Sequence, residues 1–192
     1  MLLALALVPL ASLLWAIFAD TLGANPAEAL IRATGDWTLR LLCLTLAVTP
    51  VRVVMGWSAL ARWRRMLGLC TYLYATLHLL CYSLFDMGLD VGGISADITK
   101  RPFILVGFSA FVLLTALAAT SYNRAIRVLG AARWQALHKL IYLIALLALL
   151  HFYWMRAGKN NFAEVGVYGL VVAALLGWRV RRWLRQHLGA KR

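Results

Sequence analysis

Three of the chain's four histidines, His78, His138 and His151, stand in or at the edge of long apolar runs. They read L-Y-A-T-L-H-L-L-C-Y over 73–82 and H-K-L-I-Y-L-I-A-L-L-A-L-L-H-F-Y-W over 138–154. An ionisable ring surrounded by hydrocarbon is costly and marks a site with a partner. Neutral imidazole is a common metal ligand, and haem iron is one of the metals it holds. The fourth, His187, lies in a basic tail and reads as a headgroup or solvated residue.

The elements that must position these rings are membrane helices. Sixty-three percent apolar residues, 14% charged residues and a mean hydropathy of +0.78 exclude an ordinary soluble domain. Six apolar stretches fall at 2–19, 37–55, 67–86, 103–121, 136–155 and 163–178. Each approaches the ~20 residues that cross a hydrocarbon core. Backbone groups in lipid must be satisfied within the segment, so the stretches are helices. The expectation is an all-α, polytopic bundle of six transmembrane helices in a single domain, 1–192, with a basic tail at 179–192. The first stretch has no basic n-region and a poor cleavage context, so it is read as a retained helix, kinked at Pro9.

The charge map orients the bundle. Arg52, Arg62, Arg64 and Arg65 flank the second loop, and Arg124, Arg127, Arg133 and Lys139 the fourth. With Arg179, Arg181, Arg182, Arg185, Lys191 and Arg192 in the tail they make 14 of the 20 basic residues, and no acid stands among them. All seven acids (Asp20, Glu28, Asp36, Asp86, Asp90, Asp97 and Glu164) fall on the other loops or their flanks. The positive-inside rule then places both termini in the cytoplasm. A net charge of +13 distributed this way suits the lipid bilayer surface, not nucleic acid, for which no groove-reading element is visible. Trp37, Trp57, Trp63, Trp134, Trp154 and Trp178 read as interfacial belt residues.

Orientation gives depth. Entering near Met66, the third helix carries His78 about 18 Å in. Entering near Ala136, the fifth carries His138 close to the inner surface and His151 about 20 Å deeper. The two helices run in the same direction, so His78 and His151 reach similar depth and can clamp one iron from both faces of a porphyrin. His138 and His151 lie about 140° apart on an ideal helix, so both serve a bundle interior only if the helix is tilted, distorted or central.

Other metal chemistries fail on spacing. There is no HExxH and no zinc-type cysteine pattern, and no acid accompanies the histidines as a di-iron site needs. Cys43, Cys70 and Cys81 form no CxxCH and read as apolar fillers, which argues against covalent haem attachment. No Gly-rich dinucleotide fingerprint is present, so direct use of NAD(P)H requires a partner.

Several segments carry a resemblance: G-D-W-T-L-R-L-L-C-L-T-L-A-V-T-P-V-R (35–52), R-R-M-L-G-L-C-T-Y-L-Y-A-T-L-H-L-L-C-Y (64–82) and D-I-T-K-R-P-F-I-L-V-G (97–107), with L-A-A-T-S-Y-N (117–123), L-G-A-A-R-W-Q-A-L-H-K-L-I-Y (129–142) and L-H-F-Y-W (150–154). These resemble the MsrQ (YedZ) family of haem-containing membrane subunits, which groups with the ferric reductase-like and NADPH-oxidase-like transmembrane domains. The resemblance covers nearly all of 35–154 and is most specific at T-P-x-R, R-R-x-L-G-L and D-I-x-K-R-P. It implies a bacterial inner-membrane cytochrome b. Such a subunit passes electrons from the quinone pool or a cytosolic flavin reductase to MsrP, a periplasmic molybdenum enzyme that reduces methionine sulfoxide in oxidised proteins. FMN is also attributed to the family. The catalytic site for methionine sulfoxide is then expected on the partner.

Larger relatives place two histidines on each of the third and fifth helices. Here Arg64 stands fourteen residues before His78, where those relatives have a second histidine. An outer haem between His78 and His151 is expected, and a second at His138 stays open. Arg64 is a poor iron ligand because its guanidinium stays protonated, but it can pair with propionates. Lys100, Arg101, Arg156 and Lys159 are further candidates for propionates or an acidic partner, with interface snorkelling as the alternative. Two other functions stay open: a ferric reductase-like cytochrome b with a different acceptor, and a non-redox membrane scaffold.

Overall fold

The computed structural model describes residues 2–157 and 162–188. Lys159, Lys191 and Arg192 lie outside the described residues. The described residues form helices and no strand: α1 (Leu2–Phe18), α2 (Pro26–Met55), α3 (Leu60–Cys81) with a π-helical turn at Tyr82–Asp86, α4 (Val91–Lys100), α5 (Pro102–Ala119), α6 (Asn123–Leu129), α7 (Ala131–His138), α8 (Ile141–Ala157) and α9 (Ala163–Leu188). Five helical segments are long and apolar enough to cross a bilayer, and Leu2–Phe18 adds a shorter apolar helix. The chain is therefore an all-α multi-pass membrane bundle.

Successive contacts of α2 with α3, α3 with α5, α5 with α8, α8 with α9 and α9 with α2 close a ring, and α1 packs outside it on α2 and α3. The larger core cluster lies inside that ring, built from Leu39, Leu42, Leu46, Ala110, Ile144 and Ala145 among others. A second cluster seats α1 on α2 and α3 through Ala6, Leu41, Leu67 and Tyr74. Outward positions such as Leu5, Val54, Val112 and Leu170 are exposed apolar residues, as lipid-facing surfaces require.

Two prolines test how helices survive inside such a bundle. Proline lacks an N–H, so it leaves the carbonyl four residues earlier without a helical donor. Pro50 of α2 does this to Leu46, and Arg179 of α9 supplies the missing donor from its Nη2 at 2.5 Å. In α1 the disturbance at Pro9 is taken up by Tyr74, which is fully buried: its hydroxyl accepts from Leu10 N at 3.0 Å and donates to Ala6 O at 2.9 Å. A hydroxyl thus bridges one broken turn.

Three boundaries differ from the sequence expectation. α2 begins at Pro26, well before position 37, because Asn25 caps it by accepting from Glu28 N, Pro26 occupies the first turn and Glu28 pairs with Arg32 at 2.7 Å. Thirty residues at about 1.5 Å each outreach the hydrocarbon, so its first turns stand at the acidic end of the bundle. The expected fifth helix is broken at Lys139–Leu140 into α7 and α8. His138 and His151 therefore sit on different helices, which resolves their angular mismatch by distortion. α9 continues to Leu188, so the basic tail is helical well past residue 178.

Candidate functional site

His78 of α3 and His151 of α8 are brought together. Their ring centres lie 6.2 Å apart, with the planes inclined at 76°. Each ring is fixed by the same local device. His78 Nδ1 lies 2.8 Å from the carbonyl of Ile31 on α2, and His151 Nδ1 lies 2.7 Å from the carbonyl of Phe103 on α5. A carbonyl only accepts, so both Nδ1 atoms carry the proton and donate it. The lone pair is then on Nε2 of both rings, and neither Nε2 has a hydrogen-bond partner among the described residues.

A glycine follows each accepting carbonyl by one turn. A Cβ at Gly35 would stand 3.1 Å from Nδ1 of His78, and one at Gly107 would stand 2.7 Å from Nδ1 of His151. Only a residue without a side chain lets each imidazole edge reach its carbonyl. These two carbonyl–glycine notches were not among the sequence candidates. The G-D-W and I-L-V-G segments held them, but nothing in a one-dimensional string says that a glycine faces a histidine on another helix.

Both histidines line a cavity of about 330 Å³ between α2, α3, α5 and α8. Its walls are apolar toward the middle of the bundle, through Leu39, Leu42, Phe111, Leu114 and Ile144. Its rim at the acidic end is charged, with Arg32, Asp36, Asp86, Arg101 and Arg156 and the hydroxyl-bearing Tyr82. Arg156 pairs with Asp36 at 3.3 Å and with Glu164 at 2.7 Å, tying α8 to α2 and α9. Asp97 receives the Tyr82 hydroxyl at 2.6 Å and pairs with Arg101 at 2.7 Å, which fastens α4 across the π-helical turn. π-Helical turns are frequent at functional sites, and this one swings Tyr82 toward Asp97 at the cavity mouth.

The donor set fits a bis-imidazole metal centre in a planar macrocycle. An imidazole nitrogen binds a first-row metal at about 2.0–2.1 Å, and the ring centre lies about 1 Å farther, so two axial rings place their centres about 6 Å apart. The observed separation matches. Ligating histidines also characteristically donate their other N–H to a carbonyl or carboxylate, as both do here. Among the described residues no group of three or more His, Cys, Asp and Glu is placed to hold a metal without such a macrocycle.

The other sequence candidates lie elsewhere. His138 stacks on Trp134 with centres 4.0 Å apart, and its Nε2 is 3.2 Å from the Thr120 hydroxyl. That hydroxyl donates to Ala116 O at 2.8 Å, so His138 Nε2–H is the donor between them. Arg64 does not line the cavity but stands at the opposite, basic end, within Coulombic range of His138. Of the four further basic residues proposed for propionates, Arg101 and Arg156 line the cavity, Lys100 does not, and Lys159 is outside the described residues. Arg179 was not singled out, because only Pro50 across the helix interface gives its position meaning.

Paired membrane histidines in a closed helical ring define a class, and comparison with known proteins agrees with it: the model of the ferric reductase like transmembrane component matches residues 34–149. A relative from Polaromonas naphthalenivorans (strain CJ2), described as the protein-methionine-sulfoxide reductase heme-binding subunit MsrQ, is 70% identical over 174 residues, covering 91% of this chain and 80% of the relative. Proteins of the same description from Ralstonia nicotianae (55% identical over 176 residues, 92% and 81% covered) and Xanthomonas campestris pv. campestris strain B100 (45% over 192 residues, 97% and 85% covered) extend the likeness. No solved structure matches the chain. The chain belongs to the MsrQ family of the ferric reductase-like transmembrane proteins.

Proposed function

We propose that the chain is a b-type haem subunit of a methionine sulfoxide reductase system, with His78 and His151 as the axial ligands. The observation that carries this reading is the pair of imidazoles 6.2 Å apart, each with Nδ1–H held by a backbone carbonyl. A haem held by His78 and His151 would supply one-electron redox chemistry. The chain's own residues do the rest. Ile31 and Phe103 fix the tautomers, Gly35 and Gly107 admit the rings, and the apolar walls keep water from the centre. Arg101 and Arg156 at the rim suit carboxylate groups of the macrocycle. His138, whose face and Nε2 are both engaged, stays outside the ligand set, and so does Arg64.

The charge asymmetry supports a bacterial inner-membrane placement with the basic end and both termini cytoplasmic. The rings then lie toward the periplasmic side, which favours delivery outward to a periplasmic molybdenum reductase of the MsrP kind. Quinone or a cytosolic flavin reductase is the proposed donor. FMN enters on the family resemblance alone, with no residue assigned to it.

Purified protein should give a pyridine haemochrome of haem b and a Soret band, and His78→Ala or His151→Ala should abolish both. Membranes containing the intact chain should reduce an added MsrP-like partner, and those of the variants should not. Colourless protein of native fold, or full haem in both variants, overturns the reading.

A further inference from the structure

Arg40 is exposed on the outer wall of the bundle, not turned into its interior. It lies on α2 about 7.5 Å past Gly35 toward the basic end. A charged side chain exposed at membrane depth is costly and points to a ligand. Two aromatic neighbours fix it. Its guanidinium lies 4.7 Å from the Trp37 ring centre, and its Nε donates to the Tyr168 hydroxyl of α9 at 3.1 Å. That contact leaves donors over. Among the described residues, neither Nη of Arg40 nor the Tyr168 O–H has an acceptor. About one turn farther along the same two helices, Leu44 and Val171 are 51% and 38% exposed. A groove with polar donors at its head therefore continues over an apolar floor.

The surrounding charges set the kind of ligand. Asp36 stands one turn before Arg40, Glu164 stands one turn before Tyr168, and both pair with Arg156. Two cations thus stand with two carboxylates, so an anionic headgroup gains nothing net. What the groove lacks is a hydrogen-bond acceptor on an uncharged, apolar body. Position narrows it further. The Tyr168 ring meets Phe152 edge-on with centres 5.5 Å apart, and Phe152 lines the histidine cavity. Only a redox-active occupant makes use of that closeness. We propose that the lipid-facing groove between α2 and α9 binds the head ring of a quinone. Arg40 and Tyr168 donate to one carbonyl oxygen, and the tail lies over Leu44 and Val171. The proposal rests on quinone as the donor named above and gives that donor a place.

The test reads binding and haem separately. The chain in phosphatidylcholine nanodiscs is titrated with decylubiquinone, followed by saturable quenching of tryptophan fluorescence, and the Soret band is recorded on the same sample. Arg40→Gln removes charged donors and should weaken binding at least tenfold. Tyr168→Phe keeps the ring on Phe152, removes one neutral donor and should weaken binding about fivefold. It decides the matter if Arg40→Gln does not fold. Val112→Ala, at a lipid-facing position of α5, should leave binding within twofold. All three should keep the Soret band. His78→Ala should do the reverse, losing the band and keeping the quinone. Failure of the haem reading thus shows in the band alone, and failure of this proposal in the quenching alone. Methyl decanoate carries an ester carbonyl on a similar tail and should not compete at equal concentration. Competition by the ester, weaker binding when phosphatidylglycerol replaces phosphatidylcholine, or unchanged binding in Tyr168→Phe overturns the proposal.

Discussion

The bundle has two polar ends, and they treat histidine in opposite ways. At the cavity, two rings are held only by their edges. Each Nδ1 is tied to a carbonyl, and each Nε2 is left with a lone pair and no partner among the described residues. Toward the basic end, His138 is held by its face on Trp134 and by Nε2 on Thr120. The same side chain keeps one ring nitrogen free in one place, as the proposed ligand role requires, and is engaged by face and nitrogen in the other. Apolar surroundings are common to both, so burial alone does not mark a metal ligand in a membrane. The proposed ligands differ from His138 in which nitrogen the neighbours consume.

The largest test of that contrast is removal of the rings themselves. His78→Ala or His151→Ala should lower haem content at least tenfold, read from the Soret absorbance per protein, because each loses half of the axial set. Either variant keeping full haem would sink the comparison at its stronger end.

Next in size are the notches. A methyl at Gly107 would sit 2.7 Å from His151 Nδ1, a distance real Cβ atoms do not adopt, so the ring or α5 must move. At Gly35 the corresponding 3.1 Å is tight but accessible to a small shift. Disturbing the group that orients a ligand typically costs about 10–100-fold in metal affinity, so Gly107→Ala should fall in that range and Gly35→Ala below it. Haem affinity of the two variants, measured by competition with an apo-haem acceptor, should rank in this order. The reverse ranking would mean that the α5 notch yields more readily than the α2 notch.

The charged rim should matter less for ligation and more for assembly. Arg156 joins three helices through Asp36 and Glu164, with its side chain 15% exposed. Arg156→Gln leaves two carboxylates unpaired near the cavity mouth, at a cost of about 1–3 kcal/mol after allowance for partial exposure. The thermal midpoint in detergent should drop by several degrees, about 2–4 °C per kcal/mol for a chain of this size. An unchanged midpoint would show that the triad is a bystander.

The all-helical membrane class was legible in the residues because lipid leaves few alternatives, and the charge asymmetry separated the two ends. The proximity of His78 and His151 was also legible, since equal depth on parallel helices follows from a fixed rise per residue. Ends and breaks were less so. The helical turns before position 37 carry Glu28, Arg32 and Asp36, which hydropathy reads as loop, although an Asn cap and an ion pair hold them helical. The break at Lys139–Leu140 has no proline or glycine to announce it. Partnerships between distant helices, such as Gly107 with His151 and Arg179 with Leu46, depend on rotation about each helix axis, which periodicity alone leaves undetermined.

The smallest effect belongs to His138, and it sharpens the comparison from the other side. His138→Ala deletes a ring stacked on Trp134 and a hydrogen bond to Thr120. An aromatic pair is worth about 0.5–1.5 kcal/mol and a neutral hydrogen bond about 1 kcal/mol, so the loss should be about 1.5–2.5 kcal/mol of stability. Trp134 keeps its own bond to the Thr120 carbonyl at 2.8 Å, so α7 should stay docked on the end of α5. Haem content should change by less than twofold, because no ligand nitrogen is removed. The two readouts are separable: a Soret titration reports ligation, and the thermal midpoint reports packing. If His138→Ala instead loses haem as completely as His151→Ala while its fold persists, the imidazole at the basic end is a ligand despite its occupied Nε2. The chain would then hold iron at both ends.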